Sequence, residues 1–75
     1  MKNVKLLELG YKIRFERNKR DISQEKLAEL ANLSIRTISD IERGLTDIRY
    51  TNLLQISDAL NITVSELLNF KLNVS

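Results

Sequence analysis

The stretch Ser23–Gly44, SQEKLAELANLSIRTISDIERG, decides the fold because it contains two short amphipathic patterns separated by a three-residue break. Apolar residues stand at positions 27, 28 and 31 before the break and at positions 33, 38 and 41 after it. Such spacing is typical of helices that each bury one narrow face. The stretch therefore predicts two short helices joined by a tight turn.

Residues at the ends of the two patterns locate the turn. Ser23 can accept a hydrogen bond from an unpaired backbone N–H, so the first helix of the pair is predicted to begin with Ser23 as its N-cap and to end near Ala31. Asn32 follows, and Asn tolerates the left-handed backbone conformation that a tight turn requires. Asn32 is therefore predicted to be the turning residue.

The second helix of the pair is predicted to have Ser34 as its N-cap, to run to Arg43 and to stop at Gly44. Its outward-facing residues are expected to be Ile35, Arg36, Thr37, Asp40 and Arg43. A helix presented in this way fits the major groove of DNA. The two helices together predict a helix-turn-helix.

Three more helices are predicted in the rest of the chain. The 75 residues include no Pro and only two Gly, at positions 10 and 44, which favours helix nearly throughout. The predicted segments are Leu6 to Lys19, Tyr50 to Leu60, and a fifth helix that opens with the capping box Thr63-Val-Ser-Glu66. The expected apolar faces hold Leu6, Leu9 and Ile13 in the first helix and Leu53, Leu54, Ile56 and Leu60 in the fourth, while the fifth carries Leu67, Leu68 and Phe70. The prediction is an all-α, five-helix single domain over residues 1–75, with a core over about residues 6–70.

Composition argues against several classes of function. The chain has no Cys and no His, so it lacks the usual zinc ligands and the usual general base near neutral pH. No metal site, cofactor, small-molecule ligand or enzymatic activity is predicted. No run of about 18 apolar residues occurs, and charges interrupt the N-terminal segment, so no membrane span or signal peptide is predicted and a cytoplasmic protein is expected.

Charge is unevenly distributed, although the net charge is only +2. The basic residues of the first twenty positions are Lys2, Lys5, Lys12, Arg14, Arg17, Lys19 and Arg20. Only Glu8 and Glu16 oppose them in that segment. A basic end suits a polyanion bound on one face, and a solvated basic terminus explains the same pattern equally well.

Residues spread over all five predicted helices resemble the phage-repressor/Cro-like helix-turn-helix family, also called the xenobiotic-response-element type. The matching residues are Leu9-Gly10, Ile13-Arg14, Arg17, Ser23-Gln24, Leu27-Ala28, Ala31, Ser34, Ile38, Ile41-Glu42-Arg43-Gly44, Leu53, Ile56, Ala59-Leu60, Val64 and Leu67. The chain departs from the family pattern at Asn32, where Gly is usual, and at Ile48-Arg49, where Pro-Ser or Pro-Thr is frequent. It looks most like small one-domain members such as restriction–modification controller proteins and compact phage or mobile-element repressors. The resemblance implies a lambda-repressor-like fold.

The same resemblance implies sequence-specific binding to double-stranded DNA by a transcriptional regulator, in particular a repressor. The expected DNA-binding residues are Ser23, Gln24, Ser34, Ile35, Arg36, Thr37, Ser39, Asp40 and Arg43. Gln24 is expected to grip a phosphate, and Arg36 to donate two hydrogen bonds to a guanine.

Other residues of the set keep two interpretations. Thr37 could bond a phosphate or touch a thymine methyl, whereas Ile35 could pack on that methyl or be a core contact. Asp40 could orient Arg36 or accept from a cytosine, with orientation favoured. Arg43 could reach a phosphate or compensate the helix dipole, and Ser39 is a secondary candidate near the DNA backbone.

Two further expectations concern structure and assembly. Arg17 and Glu42 resemble the family's ion pair between the first and third helices, which implies a structural role. One recognition helix reads too few base pairs to select a genomic site, so a homodimer on a palindromic operator is expected. The predicted dimer interface comprises Leu68, Phe70, Leu72 and Val74; the alternative is that Phe70 folds back onto the first helix. A competing hypothesis for function is an antitoxin-like protein-interaction module in which DNA binding is secondary.

Overall fold

The computed structural model describes residues 3–69. Within that range the chain forms five α-helices and no strand: α1 Val4–Lys19, α2 Gln24–Ala31, α3 Ile35–Glu42, α4 Tyr50–Leu60 and α5 Val64–Leu68. The predicted all-α, five-helix architecture is confirmed.

Helix α1 begins two residues earlier than the predicted start at Leu6. The side chain of Asn3 is the N-cap, and its Oδ1 accepts from the backbone N–H of Lys5 at 2.9 Å and of Leu6 at 3.3 Å. Two N–H groups that have no intrahelical acceptor are satisfied in this way, so the helix extends to Asn3. The periodicity of apolar residues alone does not reveal that Asn3 caps the helix.

Each of the helices α1 to α4 is followed, one or two residues after its end, by a residue with positive φ. These residues are Asp21, Asn32, Gly44 and Asn61, with φ between 56° and 69°. In each case the next N–H reaches back to a carbonyl five residues earlier; for example, Leu33 N–H bonds Ala28 O at 2.9 Å and Leu45 N–H bonds Asp40 O at 2.9 Å. This is the Schellman arrangement, which satisfies carbonyls at the helix end. The predicted turning role of Asn32 is confirmed, whereas α3 ends at Glu42, one residue before the predicted Arg43.

One apolar core lies between the helices, and every helix contributes to it. The largest fully buried side chains are Ile13, Leu27, Ile38, Ile56, Leu60 and Leu67. Burial of each such side chain contributes about 1.5–3 kcal/mol relative to exposure. Because the six come from all five helices, removal of any helix would open the same core. The prediction that Leu54 lies on the apolar face of α4 is wrong, since Leu54 is 38% exposed and does not belong to the buried face.

The backbones of α1 and α3 are in close contact at Gly10. A Cβ atom at this position would collide with the backbone carbonyl oxygen of Ile41 and would lie 2.7 Å from that of Glu42. Gly10 therefore lets the backbone of α1 rest directly on the C-terminal end of α3. The position of α3 on the body depends on this contact.

Candidate nucleic-acid interface

The outer face of α3 carries charged side chains that are free of the core. With 3.6 residues per turn, Arg36, Asp40 and Arg43 lie on the side of the helix opposite the buried residues Ile38 and Ile41. Arg36 has a side chain 88% exposed, and Arg43 is also exposed. The face thus presents two guanidinium groups, which can donate several hydrogen bonds to bases or phosphates.

Asp40 lies one turn from Arg36 on that face. Its Oδ2 is 3.8 Å from Arg36 Nε, and its side chain is 30% exposed. At this distance the carboxylate attracts the guanidinium without a hydrogen bond, and an i,i+4 pair of this kind contributes only a few tenths of a kcal/mol. The structure therefore places Asp40 where it can bias the direction of Arg36 and still leave the guanidinium available to a ligand.

Hydroxyl groups and one exposed apolar residue surround the first turn of α3. Ser34 Oγ accepts from Thr37 N–H at 3.0 Å and lies 2.8 Å from Thr37 Oγ1. Ser39 and Thr37 are partly exposed, and Ile35 is 47% exposed, so Ile35 does not belong to the core. The main role of the Ser34 side chain is therefore to cap α3. The unpaired backbone N–H groups of the first turn add to the polar character of this helix end.

Helix α2 begins beside the C-terminal half of α3. Ser23 Oγ caps α2 by accepting from Lys26 N–H at 3.0 Å. Gln24 is the first helical residue, so its backbone N–H and that of Glu25 have no intrahelical acceptor. The Gln24 side chain reaches across to α3, where its Nε2 donates to Glu42 Oε1 at 3.0 Å. Sequence reasoning missed this contact because it joins residues 18 positions apart.

Arg17 and Glu42 form an ion pair between α1 and α3. Arg17 Nε donates to Glu42 Oε2 at 2.7 Å, and Arg17 Nη2 donates to Glu42 Oε1 at 3.2 Å. Arg17 Nη1 donates to the carbonyl oxygen of Ile22 at 2.8 Å, in the turn that leads to α2. The Arg17 guanidinium therefore connects α1 to α3 through a bidentate ion pair, and it connects α1 to the α1–α2 turn through the hydrogen bond to Ile22.

A second buried carboxylate, Glu16, was not singled out from the sequence. Its oxygens lie 2.8 Å from Lys12 Nζ, 2.7 Å from Arg20 Nη1 and 3.5 Å from Lys19 Nζ. The hydrogen bond from Lys12 is the largest influence, and with the other two cations it outweighs burial and holds the pKa of Glu16 at about 2. Much of the basic character of the first twenty residues is thus engaged with one carboxylate.

Only part of the predicted dimer interface lies within the described residues. Leu68, the last residue of α5, is 51% exposed and lines a shallow groove with Leu6 and Leu9 of α1. Phe70, Leu72 and Val74 lie outside the described residues.

The family described as helix-turn-helix matches residues 13–67, a range that contains α2, α3, α4 and the ion pair. The chain belongs to this helix-turn-helix family. Control protein C.BamHI of Bacillus amyloliquefaciens is 44% identical over 69 residues, which cover 91% of this chain and 84% of that protein.

Solved structures of helix-turn-helix proteins superpose closely on the chain. The restriction–modification controller protein C.AhdI from Aeromonas hydrophila has a TM-score of 0.85 and 32% identity, with 87% of this chain and 98% of that chain covered. The P22 c2 repressor protein, solved in complex with a synthetic operator, has a TM-score of 0.75 and 36% identity, with 81% and 92% covered. The family and the fold implied by the sequence resemblance are therefore confirmed.

Proposed function

We propose that the protein is a transcriptional regulator, in particular a repressor, that binds double-stranded operator DNA sequence-specifically, with α3 in the major groove. The observation that carries this proposal is the outer face of α3, on which Arg36 is 88% exposed and no core contact is needed from Arg36, Asp40 or Arg43. A helix of this kind can enter the groove with its N-terminal residues against base edges. Membership of the helix-turn-helix family and similarity to a repressor solved with an operator support the same function.

The side chains of α3 then divide by chemistry. Arg36 would read a guanine through two hydrogen bonds, and Asp40 would hold its guanidinium toward the bases. Ile35 would pack on a thymine methyl, since its exposure leaves it free of the core. Thr37 and Ser39, at the flanks of the outer face, and Arg43, at the C-terminal end of α3, would contact phosphates.

The start of α2 would bind the adjacent phosphate. The backbone N–H groups of Gln24 and Glu25 are unused within the helix, and the Gln24 amide lies beside them. A helix N-terminus favours an anion because its N–H groups and dipole are directed at it. Ser23 and Ser34 would act mainly by capping α2 and α3, which presents these N–H groups to the DNA backbone.

Binding to two specific half-sites would require a dimer, and Leu68 marks the surface we propose for it. A leucine that is half exposed at the end of the last described helix is available for contact with a second copy. Twofold pairing of the protein would match the symmetry of a palindromic operator.

Among residues 3–69, no helix has the length and apolar character that a membrane span needs. We place the protein in the cytoplasm, acting by binding rather than by catalysis.

Operator selection from a random duplex pool, followed by binding titrations, tests the proposed function. The recovered duplex should be palindromic, should bind more tightly than a scrambled duplex, and should lose affinity as salt rises. Arg36→Ala should reduce the preference for the selected duplex by roughly 5–150-fold, the equivalent of about 1–3 kcal/mol. Arg36→Lys is the matched control, because it keeps the charge and removes the planar fork: affinity for scrambled DNA should stay while the preference falls. Equal affinity of the unaltered protein for selected and scrambled duplexes would refute the proposal.

The dimer is tested by a pair of leucine substitutions. Leu68→Glu should convert a dimer into a monomer in sedimentation velocity and weaken operator binding. Leu30→Glu is its control, because Leu30 is 49% exposed near the C-terminal end of α2 and should leave the dimer intact. A dimer that persists in Leu68→Glu would exclude this surface.

A further inference from the structure

The carboxylate of Glu42 joins two side chains that come from different helices. Its side chain is only 2% exposed. Oε2 accepts from Arg17 Nε at 2.7 Å, while Oε1 accepts both from Arg17 Nη2 at 3.2 Å and from Gln24 Nε2 at 3.0 Å. The ion pair is therefore one half of a larger network, and the amide at the start of α2 is the other half.

Because Glu42 is charged and buried, it needs both Arg17 and Gln24 as hydrogen-bond partners. A buried carboxylate that loses its partners is costly, and Arg17 supplies the compensating charge. The remaining acceptor capacity of Oε1 is directed to Gln24, whose amide must present its nitrogen rather than its oxygen to a carboxylate. Glu42 thus determines which way round the Gln24 amide lies.

The fixed amide has one consequence for an incoming phosphate. One N–H of Gln24 Nε2 is used by Glu42, and among residues 3–69 no partner takes its second N–H. That second N–H stands at the same helix start as the unused backbone N–H groups of Gln24 and Glu25. A phosphate oxygen needs donors, and an amide turned the other way would offer it an oxygen instead.

We propose that Glu42 is a positioning residue for operator binding: it orients the Gln24 amide so that an N–H faces the DNA phosphate. Arg17 cancels the negative charge of Glu42, which would otherwise repel the same phosphate. The inference rests on the proposed phosphate contact of Gln24. It assigns to the ion pair a role in binding besides its role in joining α1 to α3.

A double-mutant cycle on the full chain tests the coupling. Glu42→Gln keeps the size of the side chain, but an amide at position 42 that accepts from Arg17 must offer its own nitrogen to Gln24, and the Gln24 amide then turns around. We expect Gln24→Ala and Glu42→Gln each to weaken operator binding by about 10–100-fold, in the range of a hydrogen bond to a charged group. The double variant should bind the operator at most about twofold more weakly than the weaker-binding single variant, because both changes remove the same contact.

A matched control separates positioning from general loss of stability. Glu16→Gln also neutralises a buried carboxylate that pairs with cations, but Glu16 has no contact with Gln24. All variants are titrated at a temperature where circular dichroism shows them folded. Glu16→Gln should not weaken operator binding more than about twofold. An equal loss in Glu16→Gln and Glu42→Gln would overturn the inference.

The outcomes also separate the inference from the contact on which it rests. If Gln24→Ala binds the operator as tightly as the unaltered protein, the phosphate contact of Gln24 is wrong and the inference falls with it, while operator binding through α3 stands. If Gln24→Ala weakens binding but Glu42→Gln does not, or if the two losses multiply in the double variant, Glu42 does not position Gln24.

Nuclear magnetic resonance of the unaltered protein tests the inference without any variant. In the free protein, one side-chain N–H of Gln24 should exchange with solvent more slowly than the other, and the second should shift when operator DNA is added. The exposed side-chain amide of Asn18 is the reference for unrestrained exchange. Two Gln24 N–H signals that exchange as fast as those of Asn18 would overturn the inference.

Discussion

Replacement of Gly10 by alanine sets two effects of opposite sign against each other. Gly10 lies in the interior of α1, where alanine is favoured over glycine by about 1 kcal/mol because an alanine has less conformational freedom in the unfolded chain to lose on folding. A reading of helix propensity alone therefore predicts that Gly10→Ala stabilises the protein. The tertiary structure predicts the reverse.

The size of the opposing effect follows from the contact between α1 and α3. The added Cβ would lie 2.7 Å from Glu42 O and closer still to Ile41 O. Carbon and carbonyl oxygen pack at roughly 3.3 Å or more, so the two helices must separate by about 0.6 Å or more. Both obstacles are backbone atoms, which cannot rotate away as a side chain would.

Separation of this size costs more than the gain in propensity. Overpacking costs about 1–3 kcal/mol, and the upper end applies because the obstacles are rigid. The same movement stretches the ion pair between Arg17 and Glu42, whose bond of 2.7 Å spans the two helices. After subtraction of the gain of about 1 kcal/mol, we expect a net loss of about 2 kcal/mol in the free energy of unfolding.

Urea unfolding followed by circular dichroism measures this loss directly. For a domain of this size a loss of about 2 kcal/mol corresponds to a fall of roughly 8–16 °C in the melting temperature. Asn18→Ala is the control, since Asn18 is exposed in the same helix and the change should be neutral or slightly stabilising. A Gly10→Ala variant as stable as the unaltered protein would refute the role given to the close approach of α1 and α3.

Two further predictions concern single residues. The pKa of Glu16 is about 2 in the folded protein against an ordinary value of 4.5, so its contribution to stability is present above pH 5 and is lost as the pH falls to 2. We expect the free energy of unfolding to fall by about 2–3 kcal/mol over that window and Glu16→Gln to flatten the fall; an equal slope in both proteins would contradict the assignment. At Asn32, where φ is 58°, alanine should lower the unfolding free energy by about 1 kcal/mol and glycine should not; equal melting temperatures of the two variants would show that the left-handed turn imposes no strain.

Local features made much of the fold predictable from the sequence. Helix caps, the left-handed residue at position 32 and the spacing of apolar residues act over a few residues, so their signals are complete within short windows. The apolar pattern predicts a start of α1 that is two residues late, because the cap at Asn3 precedes that pattern. It also predicts that Leu54 belongs to the core, because a helical stripe does not show how far the neighbouring helices cover it.

The sequence by itself determined, to within one residue, where the helices of the helix-turn-helix begin and end, and it determined which face of α3 points outward, because these depend on residues three or four positions apart. Only the tertiary structure decided that Gly10 admits the carbonyls of α3, that Glu16 collects three cations, and that Glu42 joins Arg17 to Gln24. The bonds of Glu42 join residues 18 and 25 positions apart, and Gly10 meets residues more than 30 positions away. Such contacts arise from the packing of whole helices, and no local pattern of residue types encodes their distances.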